Sequence, residues 1–100
     1  MNLLINTVMQ EKQRIVFRIE KYEETLRDLP KGSLSSRLIG NRTYYYLKYR
    51  KDGKVISKYI PYDLVGEIRS GIEKRKHTES MLSSLKQEKE LADKILGGAV

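Results

Sequence analysis

The chain has 100 residues, no cysteine, 33% charged and 39% hydrophobic residues, and a formal net charge of +7. That length supports one domain with a modest core, and the missing cysteines exclude disulfides, thiolate metal sites and a cysteine nucleophile. No apolar run approaches the roughly 20 residues a membrane helix needs, and Leu3-Leu4-Ile5 lacks the basic flank and sustained apolar core of a signal peptide, so a cytoplasmic location is expected.

The first predicted element is a helix over residues 2–29. Ile5, Val8, Ile15, Ile19, Tyr22, Leu26 and Leu29 fall on alternating three- and four-residue steps. They form a heptad-like stripe with Lys12 as its one polar interruption, and Val16 and Phe17 widen the apolar surface. Pro30 ends the helix, because the residue before a proline is pushed out of α geometry. At 1.5 Å per residue the helix spans roughly 40 Å, which requires a partner helix along its length.

Residues 31–36 read as a loop. The period then shortens to two, and an antiparallel sheet is predicted over residues 37–60. Thr43–Arg50 and Lys54–Ile60 are rich in strand formers, and Asp52-Gly53 between them is a hairpin turn signal. Arg37-Leu38-Ile39 supplies a third short strand across a Gly40-Asn41 turn.

A second helix is predicted over residues 63–96, with Asp63 as N-cap and Gly97-Gly98 as its stop. Its apolar stripe of Leu64, Val65, Ile68 and Ile72 resumes only at Met81, Leu82 and Leu85. The polar stretch Glu73–Ser80 between them is read as exposed helix, and Gly66 and Gly71 weaken the first turns. The fold class is α+β, a single domain 1–100. Two long amphipathic helices, antiparallel and coiled-coil-like, flank a two- to three-stranded hairpin sheet. Because an antiparallel pair buries its stripe on one side only, a homodimer through the helices is a possible assembly.

The charge is segregated. Residues 31–60 hold eight basic side chains against Asp52 alone, an excess equal to the whole net charge, while the flanking segments are balanced. A confined cationic segment suits a polyanionic partner or an acidic protein surface. Within it, Tyr44, Tyr46, Lys48 and Arg50 alternate onto one face of the central strand, interleaving rings that stack on bases with cations that meet phosphates. The turn decides what joins them. A two-residue Asp52-Gly53 turn sets Arg50 opposite Val55 and adds Tyr59; a three-residue bulged loop sets Arg50 opposite Lys54 and adds Ile56 and Lys58. The candidate binding residues are Arg42, Tyr44, Tyr46, Lys48, Arg50, Lys54 and Lys58. The same tyrosines also serve as cross-strand pairs that stabilise a hairpin.

Catalysis finds little footing. His77, the only histidine, sits in a polar helical stretch without a nucleophile. There is no glycine-rich phosphate loop and no metal-ligand spacing, so neither enzyme activity, metal nor cofactor is expected.

Gly32-Ser33-Leu34, Tyr44 to Tyr46 and Asp52-Gly53-Lys54 together resemble the N-terminal arm-binding domains of phage and transposon integrases, whose small three-stranded sheets enter the DNA groove. The resemblance covers about thirty residues and implies that Arg42, Tyr44, Tyr46, Lys48 and Arg50 face DNA. The chain departs from that pattern in the long helix before the sheet and in lacking a recombinase catalytic domain. Its full layout also resembles small proteins of phage and plasmid mobile elements, among them anti-CRISPR proteins that bind an RNA-guided nuclease or its guide-RNA complex. The expected function is therefore a non-enzymatic basic binding protein engaging DNA, RNA or a ribonucleoprotein through its hairpin. The alternatives are an anti-CRISPR-like inhibitor and a helical oligomerisation protein.

Overall fold

Local sequence sets the two ends of the first helix. In a computed structural model, which describes residues 2–98, the Asn2 side chain accepts from the Leu4 and Ile5 N–H groups at 2.9 and 3.4 Å and caps helix α1 (Leu3–Arg27). Asp28 closes it, donating its N–H to the carbonyls of Thr25 and Leu26. The helix thus stops two residues before the expected end. Leu29, directly before Pro30, is not on the interface stripe, because Pro30 disfavours helical geometry there. Both ends of the expected 1–100 domain lie outside the described residues.

Strands β1 (Ser33–Ile39), β2 (Arg42–Lys51) and β3 (Lys54–Ile60) follow, then a single 3-10 turn (Tyr62–Leu64) and helix α2 (Val65–Gly98). The fold is α+β, with an antiparallel sheet in the order β1-β2-β3. Three expectations need correction. β1 starts at Ser33, not Arg37, because β2 offers ten residues for pairing and the serines follow it to Ser33↔Lys48. Serine carries no strand signature, so the sequence conceals this. Asp63 is not an N-cap: the entry to α2 is the 3-10 turn after Pro61, closed by the Leu64 N–H on the Pro61 carbonyl at 3.0 Å, without a side-chain cap. At the other end α2 continues through Gly97 to Gly98.

Within the length of one expected domain, two compact units form: residues 1–28 with 77–100, and residues 29–76. Each has its own core. Ile15 and Ile19 of α1 bury with Leu82 and Leu85 of α2, joined by Tyr22 and Leu26, while Leu47, Ile60, Val65 and Ile72 bury in the sheet unit. The division falls inside the polar Glu73–Ser80 stretch, which is helical throughout. With no apolar stripe there, neither hydrophobic cluster includes a residue of it, yet it is not exposed throughout as expected, because Thr78 is buried.

In the helical unit α1 and its part of α2 pack antiparallel, with the Lys12 ammonium on Asp93 and Lys86 on Glu23. Ile5 and Val8 are half-buried. Lys12, which interrupts the stripe, therefore has a structural role: its ammonium pairs with Asp93, which also accepts from Lys89 at 3.1 Å. Hydrogen bonds from Lys12 and then Lys89 hold the Asp93 carboxyl below the usual carboxylate range. The stabilisation this gives is complete above the unfolded-state value of about 3.9 and is lost as pH falls through the lowered folded value. The difference in Tm between the wild type and Asp93→Asn, measured by circular dichroism, should accordingly be largest near neutrality and close as the pH is taken down to about 2.

The sheet unit is pinned by the segment before β1. The Leu29 carbonyl accepts from the Arg75 guanidinium at 3.0 Å, and the Pro30 ring lies against Gly71 of α2. Gly71 is thus more than a weak helix former. A Cβ there would meet Pro30 Cγ and Cδ at 2.6 and 2.7 Å. Alanine normally favours a helix by about 1 kcal/mol over glycine. Here Gly71→Ala should instead destabilise by about 1–2 kcal/mol in chemical denaturation, and Pro30→Ala in the same chain should recover part of the loss.

Candidate nucleic-acid interface

The two turns fix which side chains share a face. Asp52 (φ 52°) and Gly53 (φ 76°) are both left-handed, the signature of a two-residue I′ turn, and the register follows as Arg50↔Val55, Lys48↔Ser57 and Tyr46↔Tyr59. At the other end Gly40 alone is left-handed (φ 62°), the pattern of a II′ turn. This sets Ile39↔Arg42, Arg37↔Tyr44 and Ser35↔Tyr46.

Strand alternation then sorts the sheet. Leu34, Tyr45, Leu47, Tyr49 and Ile60 face the core with Val65, Ile68 and Ile72 of α2. The open face carries Arg42, Tyr44, Tyr46, Lys48 and Arg50 from β2, flanked by Arg37 and Tyr59. Of the residues expected to bind, Arg42, Tyr44, Tyr46, Lys48 and Arg50 are therefore together. Lys54 and Lys58 are not: they pair with Lys51 and Leu47 and belong to the opposite face, since only a bulged turn would have brought them round.

Two open-face residues escaped the sequence reading. Tyr59 was conditional on the turn, and its ring is central: its centroid lies 6.4 Å from that of Tyr44 and 6.0 Å from that of Tyr46. Tyr59 remains 53% exposed and the other two are half-buried. Arg37 belongs to the short strand that the sequence marks, and the Gly40-Asn41 turn sets it opposite Tyr44 and so on the open face. The third contact between rings joins Tyr45, on the opposite face of β2, to Tyr62 of the 3-10 turn.

Around the tyrosines the field is positive. Among the described residues, none of Arg37, Arg42, Lys48 and Arg50 takes part in an ion pair, and all four are exposed. In contrast, cations of the helical unit, such as Lys12, Lys86 and Lys89, are paired with carboxylates. No group of three or more His, Asp or Glu side chains among the described residues could hold a metal ion, and no helix there is long and apolar enough to cross a membrane.

Fold and face together define a small α+β protein that presents an open cationic, tyrosine-bearing sheet. The chain belongs to a family known as a domain of unknown function (DUF6788), whose match covers residues 10–70, from within α1 through the whole sheet to the start of α2. No curated protein and no solved structure matches it.

Proposed function

We propose that the protein is a non-enzymatic binding module whose open sheet face engages nucleic acid, free or within a protein complex, in the setting of a mobile element. One observation carries this reading: four exposed cations without ion-pair partners among the described residues share a face with Tyr44 and Tyr46, whose rings both meet that of Tyr59. Cations left unneutralised by the protein's own carboxylates are available to phosphates, whose contacts supply most of the affinity in such complexes. The short motifs Gly32-Ser33-Leu34, Tyr44 to Tyr46 and Asp52-Gly53-Lys54, which resemble those of integrase arm-binding domains, favour the same reading.

The test is fluorescence anisotropy with labelled single-stranded DNA, duplex DNA and structured RNA across a salt series. Binding at about micromolar strength that weakens steeply with salt is the expected result. No binding at low salt would remove the direct form and turn the face toward an acidic protein surface, as for an anti-CRISPR-like inhibitor.

A second reading, association of two copies through the helices, is favoured by apolar side chains that the helical unit leaves exposed: Leu3, Leu4, Met9, Phe17, Leu91 and Ile95. Exposed apolar side chains in such number mark association surfaces when they are contiguous. Sedimentation velocity should then show a concentration-dependent dimer. A strict monomer at the highest soluble concentration would end this reading.

A further inference from the structure

The antiparallel register arranges the open face in transverse rows. One row is Ser33–Lys48–Ser57; the next is Ser35–Tyr46–Tyr59. Lys48 therefore has a serine on each side, and no tall side chain stands beside its ammonium across the strands. The result is a cavity of about 200 Å³ lined by Ser35, Ser36, Arg37, Tyr46, Lys48 and Ser57.

Ser36 pairs with core-facing Tyr45 and borders the cavity through its backbone, while the other five side chains stand on the open face and can each donate a hydrogen bond: two hydroxyls, a phenol, a guanidinium and an ammonium. No carboxylate lines the cavity, so it suits an anion. It is smaller than the roughly 300–1,000 Å³ of pockets that enclose whole small molecules, so it fits a single group better than a nucleotide. Next to it, one row along, lie the rings of Tyr46 and Tyr59, with Tyr44 a further row away. Successive rows are separated by about 7 Å, two residues of strand rise.

We propose that this cavity seats one phosphate of a single-stranded nucleic acid, whose neighbouring bases stack on the Tyr44–Tyr59–Tyr46 cluster; the proposal rests on the nucleic-acid reading above. Single strands are favoured because their bases offer free faces to aromatic rings, whereas duplex bases are stacked on one another. The open face also has no Asn, Gln, Asp or Glu to read adenine or cytosine edges in a groove. Binding is therefore tolerant of sequence, as stacking on aromatic platforms is.

The seat is tested with labelled oligothymidylate and a dA·dT duplex in anisotropy titrations across salt, using Ser35→Ala/Ser57→Ala and Lys48→Gln, both checked for folding by circular dichroism. Oligothymidylate should bind more tightly than the duplex. The serine variant should lose about tenfold in single-strand affinity at an unchanged salt slope, because hydroxyls release no counterion. Lys48→Gln should make the slope shallower by about 0.7, the value for one single-strand phosphate. Preference for the duplex, or wild-type affinity in the serine variant with a wild-type slope in Lys48→Gln, would overturn the seat and leave the nucleic-acid reading standing. No binding of either probe by the wild type would remove both.

Discussion

Replacing Lys48 and Arg50 together by glutamate should reduce nucleic-acid affinity by about a hundredfold or more at about 0.1 M salt while leaving the fold intact. The two side chains stand on the same face two residues apart, roughly 7 Å along β2, within one Debye length of about 10 Å at that salt. Their fields at a bound phosphate therefore add, and reversal replaces two attractions with two repulsions. Stability should hold because both are exposed and neither is in an ion pair among the described residues. Their cross-strand neighbours are Ser33, Ser57 and Val55, so glutamate meets no carboxylate, and surface changes of this kind usually stay within about 0.5 kcal/mol. The control is Lys54→Glu/Lys58→Glu. It changes the net charge equally on the opposite face, so affinity should fall only by the weaker, long-range share. Equal losses in the two variants would mean that the protein's overall charge, and not the open face, attracts the ligand. Unchanged affinity in the folded Lys48→Glu/Arg50→Glu variant would end the proposal.

The largest stability effect is expected at Gly32. Its φ of +116° is a conformation L side chains rarely adopt. A Cβ at this position would also lie 2.1 Å from the Lys48 carbonyl oxygen and 3.0 Å from Tyr49 Cβ. The first obstacle is backbone of the central strand, which cannot swing aside as a flexible side chain can. Strained backbone costs about 1–3 kcal/mol and overpacking a similar amount. Gly32→Ala should therefore destabilise by about 3 kcal/mol and lower Tm by roughly 15 °C for a chain of this size. Thermal melts followed in the far ultraviolet would show it. A drop of only a degree or two would mean that β1 can start later, at the Arg37 suggested by the strand signals. Because Gly32 also borders the backbone of Lys48, a folded Gly32→Ala protein would be expected to bind less well.

Much of the fold was legible in single residues. Asp52-Gly53 and Gly40-Asn41 declared their turns, because few residue pairs accept positive φ there. The tyrosine run declared β2, and the stripe from Ile5 to Leu26 declared a helix with a partner. The start of β1 was hidden because Ser33, Ser35 and Ser36 gain their strand geometry only from pairing with β2, which no local propensity reports. Asp63 looked like a cap by residue type, yet the backbone turn at Pro61 closed the helix entry first. On the candidate site, the alternation of Tyr44, Tyr46, Lys48 and Arg50 was readable from strand period alone. Tyr59 and Lys58 could not be assigned, since a one-residue difference in the turn exchanges the faces of the whole of β3.

By itself the sequence determined the α+β class, the helix partnership and the segregation of charge into residues 31–60, because these depend on local period and composition. Strand pairing alone shows that Tyr59 completes the tyrosine cluster, that Lys54 and Lys58 lie off the open face, and that Lys48 stands between two serines. Those outcomes depend on register, which is set by turn dihedrals and cross-strand hydrogen bonding. The roles of Lys12, Gly32 and Gly71 became readable only in the tertiary structure. Each is defined by a partner distant in sequence: the Asp93 carboxylate, the Lys48 carbonyl and the Pro30 ring.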